Sequence, residues 1–322
     1  MKIAIIGAGL AGLVLADRLN QDHKVTVIEK ARGPGGRMST RRAAPYAFDH
    51  GAQYFTAETE AFSAFLETQK RAGLIASWPE SIELSGGAHV SSKRKWVAAP
   101  GMNAICKSLA QDVDVQSGVH VEKLERPASG WHLTDKTGAV HGPFDWVIST
   151  APAPQTQALM PERFSGLAAM QKVRMSGCFA LMLGFEQPLN LPWSALKSAT
   201  PPVGFIALNS DKPDRTSDPS LLIQSSNEWA EAHLEDDPNA VTAALLEAAS
   251  ALTGLDLSSA PHQVLHRWRY AATPVPAGVD FLKDDEMALA ACGDWCLGSK
   301  VEAAFLSATR LADALLRDAH GA

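Results

Sequence analysis

The chain has 322 residues, with 29 Lys plus Arg against 35 Asp plus Glu and a net charge of −6. That length predicts two domains, and the acidic balance gives no reason to expect nucleic acid as a partner. Hydrophobic residues at 46% and charged residues at 20% predict a soluble globular protein and exclude a disordered chain.

The amino terminus, MKIAIIGAGLAGLVLADRL, places one Lys before a short apolar run broken by glycines and then by Asp17 and Arg18. It does not read as a signal peptide, and no 18-residue apolar run predicts a membrane span. Cys106, Cys178, Cys292 and Cys296 are few and unevenly spaced, which fits a reducing cytoplasm rather than a disulfide framework. No Cys or His spacing suits zinc, so no metal is expected.

Lys2 to Ile6 reads as a strand, Gly7-Ala8-Gly9-Leu10-Ala11-Gly12 as a tight turn, and Leu13, Ala16 and Leu19 as one face of the helix that follows. Lys24 to Ile28 is a second strand with Glu29 at its carboxyl end, which completes a βαβ unit. In that context the glycines form a dinucleotide fingerprint: Gly9 lets backbone approach a pyrophosphate, Gly12 lets helix and strand pack closely, and Glu29 can accept the ribose hydroxyls. The bare loop Gly33-Pro34-Gly35-Gly36-Arg37 suits a second approach to the same pyrophosphate, with Arg37 as a fork for its oxygens. That feature favours a flavin over a nicotinamide dinucleotide.

The polar run Met38 to Arg42 reads as loop, Phe48 to Phe55 as a mixed aromatic and polar turn, and Thr59 to Ala72 as a helix. Trp78 to Ala99 suggests a hairpin turning at Gly86-Gly87, and Lys93-Arg94-Lys95 a solvated turn. A helix opens at Pro100-Gly101-Met102. Val113 to Leu124 and Gly130 to Thr134 read as antiparallel strands, and Trp146 to Ala151 as a buried strand. Four further strands, Phe179 to Phe185, Gly204 to Leu208, Leu221 to Ser225 and Gln263 to Tyr270, accompany one long helix between Asp237-Pro238 and Gly254. Met287 to Cys292, the turn Gly293-Asp294-Trp295 and a helix from Val301 return the chain to βα grammar. Ser299 and Glu302 suggest a capping box at that helix start, with first-turn amides facing the negative charge of a reduced flavin. Asp294 is placed to accept hydroxyl hydrogen bonds from a ribityl chain.

The fold class is therefore α/β: a discontinuous Rossmann-like dinucleotide domain over residues 1–75, 96–152 and 285–322, and a mixed-sheet substrate domain over 76–95 and 153–284. In Gln263 to Tyr270, alternation puts His266, Trp268 and Tyr270 on one face, which would suit a flat ring stacked over a flavin or would simply fill a sheet core. Trp229 is a candidate further wall. No acid–base pair or nucleophile signature is readable, so no catalytic residue is named.

The motifs IAIIGAGLAGL, ARGPGGRMSTRR, FDHGAQYFTA, KWVAAPGM, HRWRYA and CGDWC followed by VEAAFLSA resemble the FAD-dependent amine oxidase superfamily and, within it, the bacterial renalases. The resemblance implies FAD held by Gly7, Ala8, Gly9, Ala11, Gly12, Glu29, Lys30, Gly36, Arg37, Gln53, Tyr54, Val121, Thr150, Asp294 and Val301. Tyr54, Trp229, His266, Trp268 and Tyr270 are the candidate substrate contacts. The Ser-Gly-Gly-Cys-Tyr segment that carries covalent flavin in monoamine oxidases is absent, which implies non-covalent FAD. The implied reaction is oxidation of misreduced nicotinamide dinucleotides, the 2- or 6-dihydro isomers, to NAD(P), with molecular oxygen reduced to hydrogen peroxide. Oxidation of a small amine and FAD binding without turnover are the alternatives.

Overall fold

The computed structural model describes every residue except 80, 81, 86–88, 91–93, 321 and 322. The Gly86-Gly87 turn and Lys93 lie outside the described residues. Of the basic run, Arg94 lies over the Trp96 ring at 5.5 Å and Lys95 is buried.

Ile3, Ile5, Val25, Val27 and Ile148 are all buried, as the near-continuous apolar runs of a sheet covered on both faces require. They belong to a six-stranded sheet in the order Leu282–Asp284, Leu289–Ala291, Trp146–Ser149, Lys2–Ile6, Lys24–Glu29, Asp114–Ser117. All its pairings are parallel except that of the edge strand Leu282–Asp284. The chain thus re-enters this sheet before residue 285, the boundary read from the sequence. Helix Leu10–Leu19 is buried nearly all round, wedged between the sheet and helix Val301–His320. The stretch Val113 to Leu124 is not one strand. Asp114–Ser117 joins the parallel sheet, and after Gly118, at φ +80°, Val121–Glu125 starts a separate three-stranded antiparallel sheet.

The second layer is a seven-stranded mixed sheet in the order His262–Val275, Arg174–Gly184, Ser220–Ser225, Val203–Leu208, Ala195–Lys197, Ile82–Leu84, His89–Val90. Helix Pro238–Thr253, capped by Asp237 on the Asn239 and Ala240 amides, lays Val241, Leu245 and Ala249 on one face of it. Burying Leu245 completely contributes about 1.5–3 kcal/mol. The opposite face meets a hairpin, Thr40–Ala43 with Tyr46–Asp49, whose Phe48 packs on Ala180, Met182 and Leu222. The sequence reads Met38 to Arg42 as loop because a two-stranded ribbon with charged side chains lacks the apolar alternation of a core strand.

Candidate active site

The glycine turn after Lys2–Ile6 is closed from below. Thr150 Oγ1 donates to the carbonyls of Ile6 at 3.0 Å and Gly7 at 3.1 Å. A Cβ on Gly12 would lie 2.0 Å from the Gly7 carbonyl oxygen, so only glycine lets the helix start this near the strand. Thr150 is therefore a lock on the turn. Above it the space is open: a Cβ on Gly9 would meet nothing within 4 Å, and no side chain caps the helix at Gly9. Its first-turn amides, including that of the buried Ala11, are left for an anion.

Glu29 is buried, and its carboxylate accepts from the amides of Ala8 and Ala31, both at 2.7 Å. The lone pairs left over can serve a ribose. Gly118 N and Val119 N bond the carbonyls of Ala31 and Glu29, which brings the start of Val121–Glu125 to the same end of the site. Lys30 is exposed and reaches Gln155 at 3.2 Å. The second glycine loop docks on the first through Gly35 N to Ala8 O at 2.9 Å, and Gly36 lies against Gly9. Arg37 and Asp294, 257 residues apart, face each other as an ion pair in which both guanidinium nitrogens meet the carboxylate. This donor and acceptor set fits a flavin dinucleotide: uncapped helix amides and Arg37 for the pyrophosphate, Glu29 and Asp294 for hydroxyls.

The expected capping box is not formed. Ser299 Oγ accepts the Thr273 amide instead, while Glu302 takes the Glu58 and Thr59 amides and the Thr59 hydroxyl. Glu302 thereby ties the final helix to the start of helix Glu60–Arg71. Val301, half-buried, still opens the helix beside Asp294.

The substrate side is assembled across the second sheet. Phe205 pairs with Gln224, Gln224 with Ala180, and Ala180 with His266, so the four side chains form one row on one face. That row docks on residues 49–54. Tyr54 lies 6.0 Å from the Phe205 ring and is held neutral by burial, Gln224 donates to the Gly51 carbonyl at 2.7 Å, and Trp268 Nε1 donates to the His50 carbonyl at 2.8 Å. The same turn grips Arg37. Ala52 N bonds the Arg37 carbonyl at 2.8 Å, and a Cβ on Gly51 would lie 2.0 Å from that oxygen. Residues 49–54 thus join Arg37 to this face of the second sheet.

Behind the turn, Asp49 is fully buried and accepts from Lys212 at 3.2 Å, Arg215 at 2.7 and 3.1 Å, Thr40 at 2.7 Å and the Met102 amide at 3.0 Å. Burial alone would raise its pKa, but the two cations outweigh burial and bring it to about 2. Burial pushes Lys212 down to about 8. Gln53 serves this cluster, donating to the Asp49 and Gly51 carbonyls and accepting from Lys212 at 3.1 Å. Its side-chain amide is thus engaged within the protein.

The wall itself is His50, His266 and Trp268. His50 stacks on Trp268 at 5.1 Å, and His266 stands edge-on to both rings. Burial and then His266 lower the pKa of His50 to about 4, and burial with Arg41 lowers that of His266, so both imidazoles are neutral at pH 7. Trp229 lies elsewhere. It packs on Phe179, whose strand partner is Arg267, and stacks on His233, all on the opposite face of the sheet. Tyr270 falls in a bulge: Cys178 pairs with Trp268 but Ser176 with Ala272, so two extra residues interrupt the alternation that would align Tyr270 with His266. Among the described residues, no ring contact joins Tyr270 to the wall. The bulge instead turns the Ala271 carbonyl toward Arg37 and the Thr273 amide to Ser299. His50 was missed as a residue of this wall. The adjacent Gly51-Ala52-Gln53 run was the available signal for His50.

Residues 5–68 match the family described as NAD(P)-binding Rossmann-like domain, and residues 86–316 match that described as flavin containing amine oxidoreductase. The chain belongs to the flavin-containing amine oxidoreductases. Solved structures of similar fold include a putative protoporphyrinogen oxidase from Exiguobacterium sp. 255-15, with TM-score 0.77, 11% identity and 98% of both chains covered. Cyclohexylamine oxidase from Brevibacterium oxydans IH-35A gives TM-score 0.75 and 14% identity over 99% of both chains. At such identities the likeness is one of fold. Among curated proteins, 4,4'-diapophytoene desaturase (4,4'-diaponeurosporene-forming) of Staphylococcus aureus (strain Newman) is 48% identical over 52 residues, 16% of this chain and 10% of its own length. The match thus spans about a tenth of that desaturase. No helix among the described residues is long and apolar enough to cross a membrane, and no described cluster of His, Cys, Asp and Glu is arranged to hold a metal.

Proposed function

We propose that this oxidoreductase binds FAD non-covalently and oxidises misreduced nicotinamide dinucleotides, the 2- or 6-dihydro isomers, to NAD(P), as its motif resemblance to bacterial renalases implies. The observation that carries the reading is the uncharged aromatic wall of His50, His266 and Trp268 with Arg41 acting on both histidines. An alkylammonium would meet a guanidinium there, and the carboxylate that acts on His50, Asp49, is already held by Lys212 and Arg215. The dihydropyridine ring of the proposed substrate is flat and uncharged, and the dinucleotide's negative charge lies on its pyrophosphate.

FAD held by Arg37, Glu29 and Asp294 would supply a two-electron acceptor for the substrate's hydride, with molecular oxygen as the final oxidant and hydrogen peroxide as its product. The ring nitrogen's lone pair expels the hydride and the product regains aromaticity, so no protein base is needed. The chain's part is to stack and orient the ring on the Trp268 face while Arg37, Glu29 and Asp294 hold the cofactor. Cys292 and Cys296, each two residues from Asp294, are both buried and both pushed up chiefly by burial, Cys296 to about 12, which supports a non-covalent cofactor. Four buried free thiols are consistent with a reducing cytoplasm.

The second reading, a small-amine oxidase, is favoured by the family itself and by the amine oxidases of similar fold. Anaerobic mixing of the yellow holoenzyme separates the two. We expect 2-dihydro-NAD to bleach the flavin in one fast phase, and ordinary 4-dihydro-NADH, cyclohexylamine and putrescine to do so slowly or not at all. Faster bleaching by an amine would establish the second reading. Bleaching by none of them would leave a flavin-binding sensor.

A further inference from the structure

We propose that Arg41 is a phosphate-recognition residue of the substrate site, binding a phosphoryl oxygen of the dinucleotide substrate. The proposal rests on the dinucleotide reading above and adds to it a second anchor, apart from the aromatic wall. Arg41 stands directly opposite Phe48 in the hairpin, and residues so paired project to the same side of the ribbon. Phe48 stacks on His262 with ring centroids 5.5 Å apart and planes 9° apart. Arg41 therefore projects toward the strand His262–Val275, on the side that bears His266 and Trp268. Its charge is near enough to disfavour protonation of both His50 and His266, in keeping with that direction.

Arg41 is exposed and has no carboxylate partner among the described residues. Charges that merely protect an edge strand explain exposure on the outer side. They do not explain a guanidinium turned toward two neutral imidazoles, where it opposes their protonation and meets no anion. A phosphoryl group supplies the missing anion, and the guanidinium fork matches its oxygens.

The test compares two substrates on the holoenzyme: 2-dihydro-NAD and the corresponding 2-dihydronicotinamide riboside, which has the same ring and no phosphate. In the wild type the dinucleotide should half-saturate anaerobic bleaching at a concentration about tenfold lower than the riboside, as one charge-assisted contact provides. Arg41→Gln should abolish that preference, and Arg41→Lys, which keeps the charge and loses the fork, should fall between. An undiminished preference in Arg41→Gln overturns the proposal. A second arm needs no turnover: ADP-ribose binding, followed by flavin fluorescence, should weaken about tenfold in Arg41→Gln and lose its salt dependence. Inorganic pyrophosphate should compete in the wild type. If the wild type bleaches with neither substrate, the dinucleotide-oxidase reading falls, and the ADP-ribose arm still decides Arg41: equal binding by wild type and Arg41→Gln refutes it.

Discussion

The glycine turn and the aromatic wall are built by different means. The turn is made of consecutive residues whose fit is backbone against backbone, Gly12 on the Gly7 carbonyl and Gly35 on the Ala8 carbonyl. The wall draws His50 from a hairpin exit and His266 and Trp268 from a strand more than 200 residues later, joined through Trp268 Nε1 and the His50 carbonyl. Steric exclusion by a single missing Cβ leaves a trace in one short motif. A wall made from distant segments leaves its trace only as isolated aromatic and histidine residues, which also occur in ordinary cores. The turn at residues 49–54 belongs to both regions, which makes it the place where damage to one should reach the other.

The largest expected effect is at the turn. Gly12→Val places its side chain into the Gly7 carbonyl and Thr150, so purified protein should be colourless, with a flavin-to-protein ratio near zero. Retention of stoichiometric FAD would mean that the close packing is not what holds the site.

Next comes Asp49→Asn, which leaves Lys212 and Arg215 buried beside a neutral amide and should cost about 3–5 kcal/mol in denaturant unfolding. Because the folded pKa of Asp49 lies near 2, below the free value of 3.8, its contribution is fully present above about pH 4 and lost as pH falls through 2. The gap between wild type and variant should therefore narrow, by about 2 kcal/mol, over that interval. His50 is also lowered, from 6.5 to about 4, so the stability linked to its neutral form is lost as pH falls through about 4. Wild-type Tm should accordingly begin to drop below about pH 6.5, before Asp49 titrates. A Tm flat from pH 6.5 to 4 would remove His50 from that account.

The smallest and most selective effect separates the two tryptophans. Trp268→Ala should slow anaerobic bleaching without releasing FAD, whereas Trp229→Ala, on the far face of the sheet, should cost stability and leave the bleaching rate as it is. Equal slowing by both would mean that the wall is sensed through general loosening of the sheet.

The βαβ start, the glycine loops, Glu29 at a strand end and the discontinuous α/β plan were legible in the sequence, whereas the stretch read as a turn at Gly293-Asp294-Trp295 begins a short helix, Asp294–Leu297. Each legible feature depends on local sterics or on the period of apolar residues, and both are printed along the chain. Tertiary structure alone decided the rest. The strand His262–Val275 reads as plain alternation, yet pairing with Arg174–Gly184 inserts a bulge that removes Tyr270 from the wall and turns Ala271 to Arg37. Ser299 and Glu302 have the spacing of a capping box, but stronger demands from the Thr273 and Thr59 amides take both side chains. Asp49 looks like one acid in a mixed turn until Lys212 and Arg215 converge on it from the other layer. A hydrogen-bonding side chain goes to whichever buried donor or charge most needs it, and which one that is depends on contacts the linear order does not contain.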